Sequence, residues 1–156
     1  MRDGVDGIVI VDLDGTLADS TERLTEVGFH PGLPASEWPT DWGDCMKDKP
    51  IPVVIELVNN LYENYEIWIM TIRSPASNTE AWLEKHDVCW DSLKFLDGTG
   101  MPELHPAQRK EAYVLSLPAE TRSRIRFCLE DSPAMIEAFR RNGITCFDVG
   151  PFYGSM

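Results

Sequence analysis

Positive charge is what this sequence has least of. Its 156 residues carry 14 lysines and arginines against 26 aspartates and glutamates, a net charge of −12, and no basic run exceeds two residues. A protein that grips a long polyanion normally shows a basic face, because phosphate contacts supply most of that affinity. Extended duplex binding is therefore not expected; a small phosphorylated substrate, or just the end of a nucleic acid, suits the balance better. Apolar runs of the roughly 20 residues a membrane helix needs are also missing, and Met1-Arg2-Asp3-Gly4 does not open a secretory leader. The expectation is a cytoplasmic protein without membrane association. The four cysteines, Cys45, Cys89, Cys128 and Cys146, form no C-x-x-C pair and have no histidine at metal spacing. Neither a disulfide framework nor a zinc site is expected. No G-x-x-x-x-G-K-[ST] segment occurs, so this chain holds no P-loop kinase half.

What is present is an ordinary globular composition, 43% apolar and 26% charged, in a chain long enough to bury a core. The pattern predicts one domain over residues 1–156. Strand-like and helix-like segments alternate, which indicates an α/β fold with a parallel sheet covered by helices. Ile8–Val11 is a β-branched run of the kind buried on both faces. Further strands are expected at Ile67–Met70, Trp90–Leu96, Ile125–Leu129 and Ile144–Val149. Helices are expected at Ile51–Tyr62, Asn78–His86 and Pro106–Leu115, and from Pro133 to a stop near Asn142-Gly143. Residues 18–50 hold Pro31, Pro34 and Pro39 among Gly28, Gly32 and Gly43. That is too broken for long elements and too long for a connector, so it reads as a small lid or insertion.

Three polar clusters fall at the carboxyl ends of expected strands: Asp12 with Asp14, Thr71 with Arg73, and Glu130 with Asp131. Ligands of open parallel sheets bind beyond those ends. Carboxylates converging there would repel one another unless a cation sat among them. Hard oxygen donors without imidazole or thiolate favour Mg²⁺, and the cation in turn draws in phosphate. The three histidines bear no relation to this rim.

Residues 10–16, Ile-Val-Asp-Leu-Asp-Gly-Thr, resemble the first signature motif of the haloacid dehalogenase (HAD) superfamily. Met70-Thr71, Lys110 and Leu129-Glu130-Asp131 resemble the second, third and fourth motifs, in the same order. Within the superfamily the chain is most similar to the 3′-phosphatase domain of phage-type polynucleotide kinase–phosphatases. Asp48-Lys49-Pro50-Ile51, Thr71-x-Arg73 and the stretch from Phe139 to Cys146 carry that likeness. The group's usual Ser/Thr-Gly-Arg is here Thr71-Ile72-Arg73, and its usual arginine before the third motif is missing from Asp97–Met101.

The resemblance implies a three-layer, Rossmann-like HAD fold with a small insertion after the first strand. It implies a Mg²⁺-dependent phosphomonoesterase with an aspartyl-phosphate intermediate, acting on a nucleotide or nucleic-acid 3′ phosphate. Asp12 would be the nucleophile, and Asp14 the general acid and then the base, its main-chain carbonyl a metal ligand. Thr71 and Lys110 would bind the transferring phosphoryl group, although Arg109 stands beside Lys110. Arg73 would hold a substrate anion or else lie on the surface. Asp131, with Glu130, would complete the metal site. Trp38 and Trp42 could stack on a nucleobase or pack the lid onto its domain. A phosphatase of another metabolite, such as a sugar phosphate, and a non-catalytic phosphate-binding module are the alternatives.

Overall fold

The first strand lies where its composition sends it, in the middle of the sheet. The computed structural model describes residues 2–30, 32–97 and 106–154. Strand β1, Gly7–Asp12, is buried along its whole length. Ile8 and Ile10 point into one hydrophobic cluster, while Val9 and Val11 point into the other. That is the alternation a pleated strand enforces, and each such side chain contributes about 1.5–3 kcal/mol on burial.

After β1 come β2 (Ala18–Asp19), α1 (Thr21–Glu26) and β3 (Lys49–Pro50). Helix α2 (Pro52–Leu61), β4 (Tyr65–Thr71), α3 (Thr79–Lys85) and β5 (Ser92–Phe95) follow. The chain continues as α4 (Pro106–Ser116), α5 (Ala119–Ser123), β6 (Ile125–Glu130), α6 (Pro133–Arg141), β7 (Cys146–Asp148) and α7 (Gly150–Gly154). The main sheet runs in the order β5-β4-β1-β6-β7, all parallel. Val54, Ile55 and Val58 of α2 and Trp82 and Leu83 of α3 cover one face. Val114 of α4 and Ile136 and Phe139 of α6 cover the other. The result is the expected three-layer α/β architecture. Because β4 and β6 flank β1 on opposite sides, the crevice beyond its carboxyl end is where a ligand fits.

The long expected elements are all present with shifted ends: β1, β4, β6 and α4 run one to three residues longer than expected, and α2 and α3 two residues shorter. The strand expected over Trp90–Leu96 is Ser92–Phe95, and that over Ile144–Val149 is Cys146–Asp148. Helix α6 stops at a left-handed Gly143, whose N–H bonds back to Arg140. Helices α1, α5 and α7 were not anticipated, since five or six residues are too few to display a helical period. Positions 98–101 of the stretch read for a missing arginine lie outside the described residues. All four cysteines are free thiols, and Cys128 and Cys146 are buried register partners on β6 and β7. Among the described residues no helix is long and apolar enough to cross a membrane.

The segment from 18 to 50 leaves and re-enters the domain at one point. Ala18 pairs with Pro50 and Asp19 with Lys49 in an antiparallel clasp. The N–H of Ile51 then bonds to the carbonyl of Leu17, and the indole of Trp82 donates to the carbonyl of Asp48.

Candidate active site

Asp12 is the last residue of β1 and only 8% exposed. The chain then turns back on itself, with the carbonyl of Leu13 accepting from the N–H groups of Thr16, Leu17 and Ala18. Gly15 makes the turn in the left-handed region, at φ +82. A side chain there would also run into the Asp131 carboxylate. The glycine therefore lets the β1 and β6 loops close on each other. Gly15→Ala is expected to cost about 1–3 kcal/mol from backbone strain alone, and to displace Asp131. Thermal denaturation and phosphate release, measured together, check both effects.

Helix α4 delivers Lys110 into this pocket, 2% exposed. Its ammonium lies 2.7 Å from Asp12 Oδ1 and 3.0 Å from Glu130 Oε2. An ammonium so buried persists only with charged partners. Burial pushes its pKa down, yet Asp12 and Glu130 lift it above the ordinary lysine value. Burial likewise pushes Asp12 up, but Lys110 holds it below the usual carboxylate range. Burial and the Asp12 charge push Glu130 well above that range, and the same causes take Asp131 to about 8. Glu130 Oε1 accepts from the N–H groups of Asp131 and Ser132, so both its oxygens are engaged. The Thr16 hydroxyl lies 3.3 Å from Asp12 and 3.4 Å from Asp131.

Asp12, Glu130 and Asp131 each offer an oxygen within 4.8 Å of the others. Three carboxylates so close, two of them driven toward their protonated forms, are a donor set that a hard divalent cation would relieve. The residues present therefore fit Mg²⁺.

Asp14 belongs to a second group. Arg73 holds it through Nη2 at 2.6 Å and Nε at 3.1 Å, and Arg23 approaches at 3.2 Å. Both arginines also hold Asp48: Arg23 Nε lies 2.9 Å from its Oδ1, and Arg73 Nη2 lies 2.8 Å from its Oδ2. The Ser20 hydroxyl touches both carboxylates. Burial alone would raise the pKa of Asp14, and Arg73 brings it below the ordinary value.

The residues singled out from sequence thus divide between two adjoining clusters. Asp12, Lys110, Glu130 and Asp131 form the first, and Asp14 and Arg73 the second. The Asp14 carboxylate stands apart from the three that could hold a cation. Thr71, one residue beyond Met70, the register partner of Asp12, accepts the Arg73 N–H at 3.1 Å. The Arg73 side chain is 7% exposed, so it is no surface arginine. Lys110 and not Arg109 enters the carboxylate cluster; Arg109 is directed to the carbonyl of Leu96. Sequence reasoning missed Ser20, Arg23 and Asp48 as parts of the site. Little marks them: Ser20 and Arg23 lie in the polar run Asp19–Arg23, and Asp48, noted only as part of Asp48-Lys49-Pro50-Ile51, sits between two lysines, where side chains are usually solvated.

The sequence profile described as "Polynucleotide kinase PNKP phosphatase domain" matches residues 6–152. Among solved structures, one of the Pnkp1/Rnl/Hen1 RNA repair complex contains a similar chain, with a TM-score of 0.66 and 22% identity over 96% of this chain and 44% of that one. A second structure of the Pnkp1/Rnl/Hen1 complex gives a TM-score of 0.68 and 19% identity over 95% of this chain and 47% of that one. A haloacid dehalogenase-like hydrolase from Streptococcus pneumoniae gives 0.60 and 16% identity over 94% of this chain and 85% of that one. At such identities these likenesses establish the fold. The chain spans less than half the length of the first two. Among curated protein sequences none matches significantly.

Proposed function

With the chain a member of the polynucleotide kinase PNKP phosphatase domain family, and so a HAD-type phosphatase, we propose that it is a Mg²⁺-dependent phosphomonoesterase working through an aspartyl-phosphate on Asp12. We propose further that its substrate is a nucleotide or nucleic-acid end carrying a 3′ phosphate. The buried contact of Lys110 with both Asp12 and Glu130 carries this reading. It keeps one carboxylate ionised and fixed where a phosphoryl group would arrive, which is what a carboxylate nucleophile needs.

Asp12, Asp131 and the main-chain carbonyl of Asp14 would hold the cation, with Glu130 turned toward Lys110. Bound there, Mg²⁺ would supply the charge neutralisation without which an anionic nucleophile does not approach a phosphate dianion. An Asp12 carboxylate oxygen forms the new bond to phosphorus as the bond from phosphorus to the substrate's ester oxygen breaks. Asp14, entering this step protonated, gives its proton to the departing oxygen. In the second step Asp14 takes a proton from water, the water oxygen attacks phosphorus, and the acyl-phosphate bond to Asp12 breaks to release inorganic phosphate. The Lys110 ammonium and the Thr71 hydroxyl face the non-bridging oxygens, where charge develops. The guanidiniums around Asp14 favour its ionised form, which the second step requires. A phosphate dianion competing for Arg73 would lift Asp14 toward the protonated form that the first step requires.

Phosphate release tests this on 3′-phosphorylated oligonucleotides, 3′- and 5′-nucleotides and sugar phosphates, each with Mg²⁺ and with EDTA. The expected result is Mg²⁺-dependent turnover that is fastest on 3′-phosphorylated ends. Fastest turnover on a sugar phosphate would overturn the substrate, and undiminished turnover in EDTA would overturn the metal.

A further inference from the structure

Residues 18–50 place Phe29, Trp38 and Trp42 against one another. The ring centroids lie 5.9 Å apart for Phe29–Trp38, 5.3 Å for Phe29–Trp42 and 6.0 Å for Trp38–Trp42. All three are half-buried. Had they packed the insertion onto its domain, they would adjoin one of the two hydrophobic cores. Neither core includes any of them, even among the partly buried residues packed against it. They pack on each other and keep part of their surface in water.

The trio is nevertheless tied to the site. Arg23 Nη1 donates to the carbonyl of Trp42 at 2.8 Å, while Nη2 of the same guanidinium reaches Asp14 at 3.2 Å. Gly43, at φ +81, leaves room for that approach, since a Cβ there would stand 3.1 Å from Arg23 Cγ. One guanidinium thus separates the carboxylate that would protonate the leaving oxygen from the backbone that carries Trp42.

We propose that Phe29, Trp38 and Trp42 form a stacking site for the nucleobase of the nucleotide bearing the scissile phosphate. The proposal rests on the functional reading above. If Asp12 takes the phosphoryl group and Asp14 serves the leaving oxygen, the rest of the substrate lies beyond Asp14, on the side of the insertion. The two guanidiniums nearest there, Arg23 and Arg73, are engaged with carboxylates, and what Arg73 yields goes to the scissile phosphate. Affinity for the nucleoside must then come from its uncharged part. Aromatic stacking provides this without selecting one base, because every base has a π-face.

The test is steady-state kinetics of the wild type, Trp42→Leu, Trp42→Phe and Trp38→Leu on two oligonucleotides with Mg²⁺. Both carry a 3′ phosphate; one ends in a normal nucleotide and the other in an abasic one. The wild type is expected to prefer the base-bearing end. The leucine variants are expected to lose about tenfold in kcat/KM on it, carried by KM, and to treat the two ends alike. Trp42→Phe is expected to recover most of that loss, which a role limited to filling space would not require. Leucine variants that keep the wild-type preference, or that lose equally on both ends, would overturn the stacking site and leave the phosphatase reading standing. Wild-type turnover of sugar phosphates but of neither oligonucleotide would overturn the substrate reading, and the stacking site with it.

Discussion

Asp12→Asn is expected to lower phosphate release at least about a thousandfold, because the reaction loses its nucleophile and not an accessory group. The amide is isosteric but carries no anionic oxygen. Neither neighbouring acid is placed to substitute: both oxygens of Glu130 are engaged by Lys110 and the backbone, and Asp131 would be taken up as a ligand of the cation. The variant should still fold. Lys110 keeps Glu130 as its partner, and one of three crowded carboxylates is gone. Acid quenching of the wild type on a substrate labelled in its phosphate should trap label on the protein, whereas the variant should trap none. Turnover that survives the substitution would sink the nucleophile assignment, whatever the fold.

Lys110→Met should show its largest effect on stability. The methionine fills a similar volume but leaves Asp12 and Glu130 facing each other without a cation. Removing one member of a buried charge group costs about 3–5 kcal/mol. Urea unfolding without added metal should show a loss of that order, and Mg²⁺ should restore part of it. The pH dependence has a definite sign. A carboxyl whose pKa is higher in the native state than in the unfolded chain binds its proton more tightly when folded, so stability rises as pH falls through the native value. Glu130 is already raised, and losing Lys110 raises it further. The variant should therefore lie closer to the wild type at pH 6 than at pH 8. A loss below about 1 kcal/mol at both pH values would mean that Lys110 is not what makes this acidic pocket tolerable.

How much of this was legible depended on whether the information was local. The β-branched run before Asp12 announced a central strand, because a strand buried on both faces needs apolar residues at every position. The clusters at the ends of β1, β4 and β6 were visible because a parallel sheet brings like ends of its strands together. Choosing Lys110 over Arg109 was harder, since both side chains are buried. Val114, one turn beyond Lys110 and buried against the sheet, marks the inward face of α4 and is the signal that was available. Arg73 was visible at a strand end, but the contacts that clamp Asp14 could not be read. Arg23 and Asp48 are 25 positions apart, and each is buried as a charged partner of the other. No periodicity or turn signature records a contact of that kind. The same holds for the aromatic trio: three scattered rings imply a cluster only once the loop between them is closed.

The clasp between Ala18–Asp19 and Lys49–Pro50 divides the insertion into parts with different freedom. Ser20 and Arg23, which touch Asp14, and Asp48, which both of them also touch, all lie within five residues of its two ends. The described residues from Val27 to Asp41 lie beyond that neck. Doubling the length of such a loop adds only about 0.6 kcal/mol of closure entropy. Provided the Trp42 carbonyl and Gly43 are kept for Arg23, the middle of the segment can therefore be lengthened, shortened or exchanged with little effect on the acid, the nucleophile or the sheet. A catalyst built this way can be retargeted by grafting a new span between positions 27 and 41, leaving its reaction machinery as it stands.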